Sequence, residues 1–150
     1  MFATNSNDLF DLRRFVRAQE GIYEQALAEV RSGRKRTHWM WFVFPQINGL
    51  GFSPMAKKYA IKSIDEAREY LKHPVLGSRL IACSEALIVI DGQSASEIFW
   101  YPDDLKLHSS MTLFAMTVRS PGDSVFHKVL KKYFRGDLDA STVTIVKRQR

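Results

Sequence analysis

Pro74-Val75-Leu76-Gly77-Ser78-Arg79-Leu80-Ile81-Ala82-Cys83-Ser84-Glu85-Ala86-Leu87-Ile88-Val89-Ile90 is the stretch whose reading sets the fold class. Leu76, Leu80, Cys83, Leu87 and Ile90 recur at helical spacing on one face, and Ile81, Ile88 and Val89 cover others. Pro74 suits the first turn of such a helix, where its missing amide is not needed. A helix apolar on most sides is a central one, packed by other elements. Cys83 sits inside the apolar stripe and reads as buried packing rather than as a nucleophile.

Helical signals continue in both directions. Upstream, Ser63-Ile64-Asp65-Glu66 has the form of a capping box, and the helix it starts should stop near Lys72, ahead of Pro74. Further upstream, Asp8 can cap a helix carrying Leu9, Leu12, Phe15 and Val16. Gly21 breaks or bends the chain, and Ile22, Tyr23, Ala26, Leu27 and Val30 then repeat the helical period as far as Gly33. Downstream, Ser94 to Glu97 forms another capping box. Asp123 can cap a last helix with Val125, Phe126, Val129, Leu130 and Tyr133, ended by Gly136. Two stretches fit less easily. Trp39 to Phe44 is compatible with a buried strand or an irregular core segment, and Thr142 to Val146 with a strand or an extended tail. The expected fold is therefore mostly α: a compact single domain over 1–150, with about six to seven helices and at most two short strands. Residues 1–7 and 147–150 read as flexible ends.

Composition agrees with one ordinary domain. The chain has 150 residues, 45% hydrophobic and 25% charged, which is too apolar for a disordered chain. No apolar run reaches the roughly 20 residues that span a bilayer, and the N-terminus lacks the basic-then-apolar layout of a signal peptide, so the expected setting is cytoplasmic, without membrane. A single cysteine excludes a disulfide framework or a cysteine-built zinc site. The net charge of +6 suits a polyanionic partner, with phosphate-rich ligands first. That charge is concentrated in Arg31 to Arg36 and in the terminal Lys147 to Arg150.

Two segments carry the candidate chemistry. In the first, Arg34, Lys35 and Arg36 precede Thr37, His38, Trp39, Met40 and Trp41. Cationic groups neutralise phosphate, and an indole face stacks on a base at roughly 1–3 kcal/mol. His38 is a further candidate for a ligand contact or proton transfer. The bland reading makes the aromatics core and the basic residues a solvated loop; alternation buries both faces and leaves at most one Trp to line a pocket. In the second segment, Pro102 at the first helical position, followed by Asp103 and Asp104, starts a helix. Asp103, Lys106, Ser110 and Thr117 share an edge between two apolar faces, with His108 and Arg119 roughly opposite, toward solvent. Either Asp103 pairs with Lys106 and Ser110 bonds the backbone, or the edge lines a cleft. In the cleft reading Asp103 is a general base or ligand-orienting acceptor and Lys106 meets an anion.

Other chemistry finds little support. No two of the four histidines have metal-site spacing, no P-loop, GxGxxG or GxSxG occurs, and neither a metal nor a cofactor is expected.

The stretches GRKRTHWMWFVFPQINGLG and PDDLKLHSSMTLF resemble the signatures of a bacterial domain-of-unknown-function family, DUF1810, whose members often carry the label "calpastatin". The resemblance runs from Leu12 through the last helix and implies a compact, predominantly helical fold with no established activity. Calpastatins resemble long disordered repeats, whereas this composition is that of a folded domain. Where that family usually has Gly after Ile-Phe, this chain has Trp100, which would narrow or cap whatever lies beside Asp103. A fainter similarity, through Met55-Ala56, the 74–90 helix and Glu97-Ile98-Phe99-Trp100, is to the helical N-glycosidases that act on ADP-ribose conjugates and riboside phosphates (NADAR).

These readings converge on one expectation: a cleft for a phosphorylated or nucleotide-like ligand. Arg34, Lys35 and Arg36 would take the anion, Trp39 or Trp41 would stack, and Asp103, Lys106 and Ser110 would supply polar contacts. If the protein turns its ligand over, metal-independent hydrolysis of a glycosidic bond is the first expectation. The alternative is a non-catalytic module that binds nucleic acid or an acidic protein.

Overall fold

The computed structural model describes residues 8–119 and 124–149. Along the described chain run α1 (Arg13–Gln19), α2 (Tyr23–Arg31), α3 (Met40–Val43), α4 (Pro54–Lys58), α5 (Ile64–Lys72), α6 (Leu76–Ile88), α7 (Ala95–Phe99), α8 (Asp103–Ala115), α9 (Val125–Phe134) and α10 (Ala140–Arg148). The mostly α expectation holds, but ten helices replace six or seven. The surplus lies partly in α3 and α4, single turns too short to display a 3.6-residue period.

Side-chain caps start five of the helices along the described chain. Ser63 accepts the Glu66 amide at 3.1 Å, and Glu66 reaches back to the Lys62 amide at 2.9 Å. Ser94 and Glu97 form the reciprocal box that starts α7. Asp8 accepts the amides of Leu12 and Arg13 just ahead of α1. The cap expected of Asp123 lies outside the described residues, as do residues 1–7; Ser124 accepts the His127 amide at the start of α9.

Two expected strands are corrected. Trp39 to Phe44 is α3 with its flanks: a run apolar on both faces fits a buried helical turn as well as a buried strand, and six residues show no period to separate them. Thr142 to Val146 lies within α10. Its β-branched residues favour a strand, but Asp139 caps the Thr142 amide and hydroxyl, and Thr142 and Val146 bury the inner face of a helix laid on α8. The helix runs through Arg148, and the Gln149 side chain donates to the Lys62 carbonyl at 2.8 Å, so the terminal basic stretch is helical up to Arg148. Extended pairing among the described residues is a parallel bridge between Ile47 and Ile61.

α6 packs against α2, α5 and α9, and α8 against α5, α7, α9 and α10. α6 buries Leu76, Leu80, Cys83 and Leu87, while Ile81 and Val89 stay exposed. Gly77 lets α6 start against the end of α5: a β-carbon there would lie 2.0 Å from the Leu71 carbonyl oxygen. Burial pushes the Cys83 thiol up to about 12, which keeps it protonated and fits packing rather than nucleophilic work. The more enclosed helix is α8, whose residues 109–115 are all buried. Two of its buried hydroxyls bond their own helix, Ser109 to the Leu105 carbonyl and Thr112 to that of His108. At the other end of the core, Arg14 fans out to the carbonyls of Phe10, Asp11, Lys58 and Ala60 and pairs with the fully buried Glu66 at 2.8 Å.

Candidate functional site

The basic loop after α2 is shaped by one carboxylate that periodicity did not single out. Gly33, at φ +74°, turns the chain away from α2, and the Lys35 amide donates to the Ile98 carbonyl at 2.8 Å, docking the loop on α7. Glu29, in the last turns of α2, then accepts from the Arg36 amide (2.7 Å), the Thr37 amide (3.0 Å), the Thr37 hydroxyl (2.7 Å) and the Trp39 indole (2.9 Å). Burial alone would raise its pKa, but these donors to the ionised form outweigh it and hold Glu29 at about 2. A glutamate on the inner edge of a helix, followed within ten residues by a Trp, is the signal that would have found it.

The loop meets the start of α8 at a second carboxylate. Asp103 is 2.9 Å from the Lys35 ammonium through one oxygen and 3.4 Å from that of Lys106 through the other. Lys35 is 9% exposed, donates to the Thr37 carbonyl at 2.6 Å, and lies 5.0 Å from the centre of the Trp39 ring. Lys106 lies 5.1 Å above the Trp41 ring. Around this cluster opens a cleft of about 320 Å³, lined also by Arg36, His38, Met40, Trp41, Phe99, Trp100, Tyr101 and Pro102. The two segments singled out in the sequence, far apart in the chain, therefore share one concave surface. Among the described residues, three cationic side chains, Lys35, Arg36 and Lys106, and one carboxylate, Asp103, line it. The hollow is cationic and has aromatic side chains in its lining: chemistry that suits a phosphate beside a ring or sugar.

Not every expected residue arrives there. Lys35, Arg36, His38, Trp41, Asp103 and Lys106 line the cleft; Arg34, Trp39 and Ser110 do not. Arg34 is exposed outside it. Trp39 is fully buried, its indole tied to Glu29 and its ring packed on Phe44 and Phe99, so no ligand can stack on it. Ser110 points into the core, where its hydroxyl has no hydrogen-bond partner among the described residues; the edge it shares with Asp103 passes under the packing of α8 after one turn. Thr117 bonds the Phe114 carbonyl. His108 does not face open solvent: its ring stacks on Phe134 at 4.2 Å and its Nε2 is 2.8 Å from the Asp137 carbonyl. The expected Asp103–Lys106 pair does exist, and Lys35 completes it. Asp104 turns away, accepting the Ser96 hydroxyl at 2.8 Å.

Trp100 stands at φ 65°, ψ 155°, backbone that glycine adopts freely and a β-carbon resists. Its 58%-exposed indole forms part of the wall of the cleft, so a glycine here would leave the mouth wider. Among the described residues, no group of three His, Cys, Asp or Glu side chains converges as a metal cluster, and no helix is long and apolar enough to cross a membrane.

Comparison with known proteins gives a consistent lineage and no activity. No curated protein matches the chain, and no likeness to the ADP-ribose N-glycosidases appears. The crystal structure of the conserved hypothetical protein Rv1873 from Mycobacterium tuberculosis superimposes with a TM-score of 0.90 at 50% identity, over 93% of this chain and 99% of that one. The family described as "protein of unknown function (DUF1810)" matches residues 9–146, a span that holds both walls of the cleft. The chain belongs to the DUF1810 family.

Proposed function

We propose that the cleft between the Lys35–Trp41 segment and the start of α8 binds a phosphorylated, nucleotide-like small molecule of the ADP-ribose kind. The observation that carries this reading is the meeting of Lys35, Arg36, Lys106, Asp103 and Trp41 in one concave hollow. The ammonium and guanidinium groups take the phosphate. Asp103 orients both lysines and has lone pairs left for sugar hydroxyls, and Trp41 supplies a flat face. Among the described residues one carboxylate lines the hollow, so the paired-carboxylate route of most glycosidases finds no second partner among them. If the bound molecule is hydrolysed, Asp103 is the group that orients water and steadies a developing oxocarbenium charge.

Thermal-shift titration with ADP-ribose tests the reading. The ligand raises the melting temperature of the wild type, and Asp103→Asn folds but loses that rise. An unaltered rise in the variant removes Asp103 from the site. The nucleic-acid alternative predicts instead an affinity that falls steeply with salt and depends on Arg34 and the terminal Lys147 and Arg148, which lie outside the hollow.

A further inference from the structure

The groove does not end at Lys106. Beyond it opens a second hollow of about 430 Å³, and Trp41, Pro102 and Lys106 line both. The two differ in chemistry. The first gathers Lys35, Arg36 and Lys106. The second has apolar walls from Leu50, Phe52 and Leu105, with Asp139 as its carboxylate. Phe52 is 78% exposed and Leu105 52%, so large apolar surface there is left uncovered by the chain itself. Polar acceptors flank it. The Gln46 side-chain Nε2 donates to the Ser109 hydroxyl at 3.2 Å, and no described residue engages its side-chain Oε1. Asp139 caps α10 through Oδ2 in both of its side-chain bonds, so Oδ1 is likewise not engaged by a described residue. A phosphate meets three cations in the first hollow but only the shared Lys106, opposed by Asp139, in the second, whereas an uncharged ring with N–H groups on its edge suits the second.

We infer that the two hollows form one bipartite site for an elongated ligand. Its phosphate-bearing part lies against Lys35, Arg36 and Lys106, its heterocyclic ring lies between Phe52 and Leu105, and Trp41 and Lys106 form the waist. This rests on the phosphate reading of the first hollow and adds the polarity of the ligand and its minimum length: a sugar phosphate fills half the site, and a nucleotide-like molecule fills both.

Calorimetric titration of the full chain with ribose 5-phosphate and with ADP-ribose separates the two claims. ADP-ribose binds the wild type at least about tenfold more tightly, the gain that one stacked ring supplies. Ser141→Trp, at an exposed position of α10 on the wall of the second hollow, fills that hollow; the affinity for ribose 5-phosphate stays and the advantage of ADP-ribose disappears. Phe52→Ala shrinks the advantage without filling the space. Ribose 5-phosphate binding with an undiminished ADP-ribose advantage in both variants overturns the bipartite site alone. No binding of ribose 5-phosphate to the wild type overturns the phosphate reading and this inference with it.

Discussion

Two ion-pair clusters in this molecule use the same chemistry to different ends. At one end Arg14 and Glu66 are sealed in the core: the carboxylate is fully buried, and the guanidinium spends its donors on four backbone carbonyls besides. At the other, Asp103 holds Lys35 and Lys106, but its side chain is 19% exposed, that of Lys106 is 23% exposed, and all three line a hollow. Every donor of the first cluster is used within the fold, whereas the second keeps charge and lone pairs turned to solvent in a concave place. The contrast separates a charge cluster that holds a fold from one available to a ligand.

The sharpest way to break that contrast is at the sealed cluster. Glu66→Ala strands a buried guanidinium and should cost about 3–5 kcal/mol in chemical denaturation. A loss below about 1 kcal/mol would mean that Arg14 is solvated after all, and the distinction would fail.

Glu29 comes next. Its pKa is lowered from 4.5 to about 2 in the fold, so the stability it contributes is fully present above about pH 4.5 and is lost as pH falls toward 2. The expected loss across that window is on the order of 3 kcal/mol, and Glu29→Gln should lack this acid-induced drop while being less stable at neutral pH. Denaturation curves at a series of pH values check this. A drop of equal size in the variant would assign it to other carboxylates.

The smallest stability effect is expected at the open cluster. Lys106→Met keeps the apolar stem over Trp41 and leaves Asp103 its 2.9 Å pair with Lys35, so stability should change by less than about 1 kcal/mol while affinity for ADP-ribose falls at least about tenfold. Several kcal/mol lost with binding unchanged would make this pair a structural one like Arg14–Glu66.

How far the sequence carried these distinctions depends on range. Helix existence was legible where a capping box stood, as at Ser63 and Ser94, or where a long apolar period ran, as in the Leu76 stripe. It was illegible where the element was one turn long, as in α3, or where β-branched residues were overruled by a cap and a packing face, as in α10. In the site, Asp103 and Lys106 were readable because both lie within the first turn of one helix. Lys35 as their third member was not, since it comes from a distant loop that Glu29 and the Ile98 carbonyl hold in place. Trp39 and Ser110 misled for a related reason: helix-wheel and alternation geometry show which residues share an edge, not where along that edge the neighbouring helices close over it.

Amide chemical-shift mapping of the wild-type chain titrated with ADP-ribose tests the central claim most directly. The account predicts saturable shifts confined to Lys35–Trp41 and Phe99–Lys106, extending to Gly51–Phe52 and Ser141 as the second hollow fills. Saturating ADP-ribose that leaves those amides unmoved, or that moves only amides remote from both hollows, would contradict it.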